Sequence, residues 1–193
     1  MIDVYDNVFE LHDAQFVHHI LTDQKFMWHY QHKSDKSQEI YHWHRSAGRD
    51  EESLKKNGFE WLIPMWDHVM KKYKFKERYN VDTFRRIYFN AHTHGVEPQP
   101  HIDDGDFTMI YYPILDWQKN WGGGTIVWDE HSQSKKEMPK DIDKHVEYVG
   151  NRLFVFPAKR LHQAMPVSRI CFKLRSVIVF KCYIMERLGG YED

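Results

Sequence analysis

From about Thr83 onward the chain reads as a succession of short runs in which apolar and polar residues alternate, each run closed by Gly, Pro or Asp. The runs fall at 84–91, 100–103, 108–114, 125–128, 146–149, 153–156 and 169–183. A period of two places successive side chains on opposite faces of an extended backbone, so these runs predict strands, each with one face to bury. Upstream the spacing is different. Asp13 stands where it would cap a helix carrying Phe16, Val17, Ile20 and Leu21, and the stretch 59–73 repeats its apolar residues at helical intervals, with Pro64 early enough to be tolerated. Helices first and many short strands afterwards predict a mainly β protein with flanking α-helices, a double-stranded β-helix or jelly roll.

The length of 193 residues suits one domain over 1–193, with helical and strand support over 1–82 and a jelly-roll core over 83–185. Near the start Val4, Tyr5, Val8 and Phe9 predict a short strand, and Phe26, Trp28 and Tyr30 alternate like another. Residues 33–57, rich in Ser, Lys, Asp, Glu and Gln, predict a loop or covering segment, a lid over substrate being one reading and a plain exposed loop the other. With 27 basic and 28 acidic residues there is no global field to draw nucleic acid or an anionic membrane. The apolar runs are too short to span a bilayer and the opening residues lack a basic region followed by an apolar one, so the expectation is a soluble cytoplasmic protein. Cys171 and Cys182, placed in one strand at an odd offset, point to opposite faces and predict free thiols in a reducing compartment.

Chemistry enters with His101 and Asp103 in Pro100-His101-Ile102-Asp103, whose side chains leave the same face of an extended strand. Triplets of this kind arise about three times by chance in a chain of this composition. Four occur, the others being His42-x-His44, His92-x-His94 and His145-x-Glu147. His145 stands among Lys140, Asp141, Asp143 and Lys144, a pattern of a solvated turn; His42 and His44 lie in the polar stretch; His92 and His94 end a predicted strand and are the best competing ligands. His101 and Asp103 gain from His162, which follows the run 153–156 and a turn. Two His and one carboxylate leave three positions of an octahedron open, which suits Fe(II), whereas a structural zinc wants four closed ligands and commonly Cys. On the last run Arg175 shares parity with Val177 and Val179. A guanidinium on an apolar strand face needs an anion, either a dicarboxylate co-substrate or an internal acid, and Lys173 has the same parity and is the reserve candidate.

These residues resemble the 2-oxoglutarate and Fe(II)-dependent dioxygenases, in particular the prolyl 4-hydroxylase-like branch. The resemblance covers about 84–183 and rests on Arg86-Ile87-Tyr88-Phe89-Asn90, Pro100-His101-Ile102-Asp103, Met109-Ile110-Tyr111-Tyr112-Pro113, Asp116-Trp117, Trp121-Gly122-Gly123-Gly124-Thr125, Arg152 to His162 and Arg175-Ser176-Val177. It implies Fe(II) on His101, Asp103 and His162, and 2-oxoglutarate held through its far carboxylate by Arg175 with a hydrogen bond from Tyr112, Thr108 lining the pocket on the same parity. It further implies dioxygen as oxidant, ascorbate as an accessory reductant, and a prolyl residue of a peptide or protein as substrate, a small metabolite being the alternative, with release of succinate and carbon dioxide. One departure stands out: from 162 to 175 the gap is 13 residues, longer than the family's usual spacing, so either the intervening turn is long or Lys173 is the anchor. Two other classes fit parts of the pattern: a cupin-like metal-binding protein or isomerase without 2-oxoglutarate chemistry, and an inactive scaffold with exposed aromatic contact residues.

Overall fold

The structure is a computed structural model describing residues 1–32, 41–129 and 141–184. In chain order its elements are strand β1 (Asp3–Tyr5), helix α1 (Leu11–Thr22), strands β2 (His29–His32) and β3 (His42–Gly48), and helices α2 (Glu51–Lys56), α3 (Leu62–Tyr73) and α4 (Phe75–Tyr79). There follow strands β4 (Val81–His92), β5 (Phe107–Tyr112), β6 (Thr125–Trp128), β7 (Ile142–Val146), β8 (Arg152–Pro157), β9 (His162–Ala164) and β10 (Arg175–Ile184). A seven-stranded sheet runs β1-β8-β5-β10-β4-β3-β2, and a three-stranded sheet runs β7-β6-β9. All pairings are antiparallel. This is the jelly roll that the alternation predicts.

Strand periodicity sorts the core into two layers. Met109 and Tyr111 of β5, Leu153 and Val155 of β8, and Ile178 and Phe180 of β10 face the helices, where they pack with Ala14, Val17, Leu21, Leu62, Met65, Trp66 and Val69. Their odd-even partners Ile110, Tyr112, Phe154, Phe156, Val177 and Val179 face the smaller sheet and meet Val127 and Val146. In α1 the buried residues Ala14, Val17 and Leu21, and in α3 Leu62, Met65, Trp66 and Val69, recur at three and four, one stripe of each helix. Both faces of the large sheet are therefore covered, and the face away from the helices is the one that holds polar groups.

Several expectations are corrected. The helix at 11–22 starts at Leu11 behind Glu10, so Asp13 lies in its first turn, near the positive end of the dipole, and does not cap it. Of the expected covering segment, 33–40 lies outside the described residues, while 41–57 is regular structure: β3 pairs with β4. Helix α2 is started by a capping box between Asp50 and Ser53, a local signal that composition concealed. Residues 100–103 form no strand; His101 makes only an isolated antiparallel bridge to His162. Strand β7 covers 142–146 and ends where the expected run 146–149 begins, so His145 stands in a strand and not a turn, while Lys140 lies outside the described residues. The last strand begins at Arg175, so Cys171 precedes it in a turn; both cysteines are buried free thiols. Among the described residues no helix is long and apolar enough to cross a membrane.

Phe89 joins the sheet to the first helical layer: its fully buried ring meets Phe26, Phe59 and Trp61 at centroid distances of 5.2, 5.1 and 6.0 Å. Phe89→Ala should lower the unfolding free energy by about 3–5 kcal/mol in chemical denaturation. A loss below about 1 kcal/mol would contradict this packing.

Candidate metal and dicarboxylate site

Two segments that are distant in sequence meet at one point between the sheets. His101 follows the turn after β4, Asp103 follows it, and His162 opens β9 on the smaller sheet. The bridge that joins them is reciprocal: His101 N–H donates to the His162 carbonyl at 2.9 Å and His162 N–H donates back at 3.0 Å. Asp103 is tied separately, its N–H donating to the Ala158 carbonyl at 2.8 Å. As a result the two imidazoles lie 4.4 Å apart, centroid to centroid. One ligand atom each from His101, Asp103 and His162 fall within 4.8 Å of one another.

The hydrogen bonds around the rings decide which nitrogens are presented. His101 Nδ1 lies 3.1 Å from the Gln99 carbonyl and His162 Nδ1 lies 2.9 Å from the Arg160 carbonyl. A carbonyl only accepts, so each Nδ1 carries the proton and each Nε2 offers its lone pair toward Asp103. Burial and the neighbouring His162 push the His101 imidazole down to about 4 against the pull of Asp103, which keeps it neutral and able to ligate. Burial alone would raise Asp103, yet Lys181, followed by His162 and His101, holds its carboxyl well below the usual range. Two imidazoles that present Nε2 and an ionised carboxylate, with open space on one side, are a donor set that fits Fe(II).

Of the competing ligand pairs none joins this cluster. His92 is buried on β4 and its ring stands edge-on to His42 at 5.3 Å. His44 Nδ1 is 2.8 Å from Asn90 Oδ1, and His94, His145 and Glu147 are exposed and do not belong to the cluster.

Arg175 enters the same cavity, lined also by Asn90, His92, Thr125, Val177 and Val179 together with the triad. It is 2% exposed, and its Nε donates to the Gly123 carbonyl while Nη2 reaches the Gly124 carbonyl and Thr125 Oγ1, each at 3.3 Å. Among the described residues it has no carboxylate partner, so the internal acid weighed from the sequence is not found. Burial pulls this guanidinium below its ordinary value, opposed by Tyr112 and Tyr148, whose rings lie 5.8 Å from it. Tyr112 donates its hydroxyl to Thr125 Oγ1 at 2.8 Å, which ties the phenol to the Arg175 end. Thr108 lies at the opposite end, donating to Asp103 Oδ2 at 2.8 Å. Lys173 is not brought to the cavity; its Nζ is bonded to Asp116.

Two groups escaped the sequence reading. Thr125 bridges Tyr112 and Arg175, and no local pattern distinguishes it. Lys181 is fully buried, bonded to Asp103 Oδ2 and 3.2 Å from Thr108 Oγ1. Its signal was present, since 175, 177, 179 and 181 share parity on one strand.

Comparison with known proteins agrees with this geometry. The family model described as the 2OG-Fe(II) oxygenase superfamily matches residues 78–180. No curated protein sequence matches the chain. Among solved structures, a prolyl hydroxylase from Trichoplax adhaerens in complex with a hypoxia inducible factor oxygen degradation domain peptide fragment superposes with a TM-score of 0.69 at 13% identity, covering 99% of this chain and 87% of that one. A Pseudomonas putida prolyl-4-hydroxylase gives 0.61 at 13% identity, covering 94% and 92%. The non-heme alpha ketoglutarate dependent epimerase SnoN from nogalamycin biosynthesis gives 0.61 at 10% identity, covering 93% and 78%. At such identities the likeness to these structures is one of fold.

The position of Arg175 depends on Gly123, which has φ +76°; a Cβ there would lie 3.1 Å from the Trp117 ring and 3.3 Å from the Arg175 side chain. Gly123→Ala should therefore destabilise by about 1–3 kcal/mol through backbone strain and overpacking, read as a lowered Tm. An unchanged Tm would show that the turn is not held against Arg175.

Proposed function

Because the chain belongs to the 2OG-Fe(II) oxygenase superfamily, we propose that it hydroxylates a prolyl residue in a peptide or protein, with Fe(II) on His101, Asp103 and His162 and 2-oxoglutarate anchored by Arg175. Membership makes the protein an oxidoreductase that uses Fe(II), 2-oxoglutarate and dioxygen. The observation that carries the residue assignments is a buried guanidinium with no carboxylate partner among the described residues, in one cavity with two imidazoles and a carboxylate. A dehydrated cation of this kind is costly until an anion reaches it, and its planar fork matches a carboxylate.

Bound iron and 2-oxoglutarate supply the oxidation: dioxygen is consumed, the co-substrate loses carbon dioxide to become succinate, and one oxygen atom enters a substrate C–H bond. The chain's own residues bind, orient and shield. His101, Asp103 and His162 would hold the iron. Arg175 takes the far carboxylate, with the Tyr112 and Thr125 hydroxyls beside it. Ile110, Val177 and Val179 form dry walls along the cavity, which excludes water from the reacting atoms.

Substrate would approach from the opposite side, where a cleft of about 320 Å³ is lined by His44, Ser46, Arg49, Arg86, Tyr88 and Asn90 and reaches His101 and Asp103. Its hydrogen-bonding walls suit a peptide backbone, and the Trichoplax adhaerens structure that shares this fold holds a peptide fragment.

Anaerobic Fe(II) plus 2-oxoglutarate should give a visible charge-transfer band with the wild-type protein and none with His162→Ala; an undiminished band in the variant would falsify the ligand assignment. Arg175→Ala should weaken 2-oxoglutarate binding by about 2–5 kcal/mol, at least thirtyfold, while leaving Fe(II) binding nearly intact. Lys173→Ala should change neither. Incubation with proline-containing peptides in air should add one oxygen at proline by mass spectrometry; turnover of free metabolites with no prolyl peptide modified would overturn the substrate class and leave the oxygenase chemistry standing.

A further inference from the structure

The proposed reaction uses the cation at one end of the inward face of β10 and leaves another unexplained. Arg175 and Lys181 share that face, six residues and roughly 20 Å of strand apart. Lys181 is fully buried, and the carboxylate it meets is Asp103, through Oδ2. The adjoining acid Asp104 is engaged elsewhere, accepting from Arg86 Nη2 at 2.7 Å. Thr108 links the pair, receiving a hydrogen bond from Lys181 at 3.2 Å and donating to Asp103 Oδ2 at 2.8 Å. Oδ2 thus has an ammonium, a hydroxyl and, at 3.3 Å, His162 Nε2, whereas Oδ1 has the longer approach to His101 Nε2 at 3.8 Å.

Resting on the triad reading above, we infer that Lys181 is a positioning residue for the metal, whose ammonium holds Asp103 through Oδ2 and so sets how the carboxylate is presented to the metal. Charge drawn toward the ammonium also makes the carboxylate a weaker donor, since partners of a ligating carboxylate tune the metal it holds. In the metal-free protein the same ammonium prevents Asp103 from standing unpaired among buried groups. Lys181 is therefore a resident cation that keeps the site formed and competes with the metal for the carboxylate's charge.

This predicts a sign that a merely structural lysine would not give. The comparison is wild type, Lys181→Met, which keeps length and removes charge, and Lys181→Arg, which keeps charge. The probe is Co(II) alone, followed by anaerobic calorimetry, thermal melting and the cobalt d–d spectrum. Lys181→Met should melt lower than wild type without metal, bind Co(II) about tenfold more tightly, gain more in Tm on saturation, and show shifted d–d bands. Lys181→Arg should stay close to wild type. Equal or weaker Co(II) binding by Lys181→Met, with no larger gain in Tm, overturns the inference. If Lys181→Met fails to fold without metal, Lys181→Gln carries the same comparison, and failure of both to fold even in saturating Co(II) also overturns it. The triad reading is tested separately by His162→Ala: wild-type Co(II) binding that this change leaves intact removes both proposals, whereas binding that it abolishes, together with an unresponsive Lys181→Met, removes only this one.

Discussion

The reciprocal backbone bridge between His101 and His162 is the interaction on which the site depends. One residue comes from the connection after the longest strand of the large sheet and the other opens an edge strand of the small sheet, so the bridge is also a seam between the two layers. It sets both rings at a fixed spacing, and their Nδ1 protons are spent on the Gln99 and Arg160 carbonyls. Backbone bonds that gather the donors lower the entropic cost of binding a ligand there.

Burying charge is the second constraint. The face of the large sheet that looks toward the small one is lined with Ile110, Phe154, Phe156, Val177 and Val179, yet it carries Arg175 and Lys181, with Asp103 of the connection after β4 against Lys181. In so dry a space each charge must find an opposite. Asp103 and Lys181 satisfy one another, with Thr108 between them. Arg175 has carbonyls and a hydroxyl but no acid among the described residues, and the glycines of Trp121-Gly122-Gly123-Gly124-Thr125 let those carbonyls approach. One end of the cavity is thus balanced internally, and the other is left to a ligand.

How far the sequence reveals this varies with the kind of signal. Alternation read β4, β5, β6, β8 and most of β10, of which β5, β8 and β10 have one face on each core layer, and the helical stripe of α3 was equally plain. His101, Asp103, His162 and Arg175 could be picked out because residue type and order point to one chemistry, and the folded chain brings them to one cavity. Strand β3 and helix α2 were hidden, since β3 lies near the sheet edge among His, Arg and Ser and gives no apolar alternation. Lys173 and Lys181 show the limit of parity counting. Both fall on the Arg175 register, but the strand begins only at Arg175, so Lys173 turns away to Asp116 while Lys181 is carried inward. The long gap between His162 and Arg175 is absorbed by the turn before β10, and Arg175 lines the cavity of the triad.

The measurement that bears most directly on the whole arrangement is a crystal structure grown without oxygen in Mn(II), a stand-in for Fe(II), and 2-oxoglutarate, with the metal located by anomalous scattering. The expected result is one metal peak bonded to His101 Nε2, His162 Nε2 and the Asp103 carboxylate, with the co-substrate running from that ion to the Arg175 guanidinium. A peak held instead by His42 and His92, or a co-substrate lying away from Arg175, would contradict it.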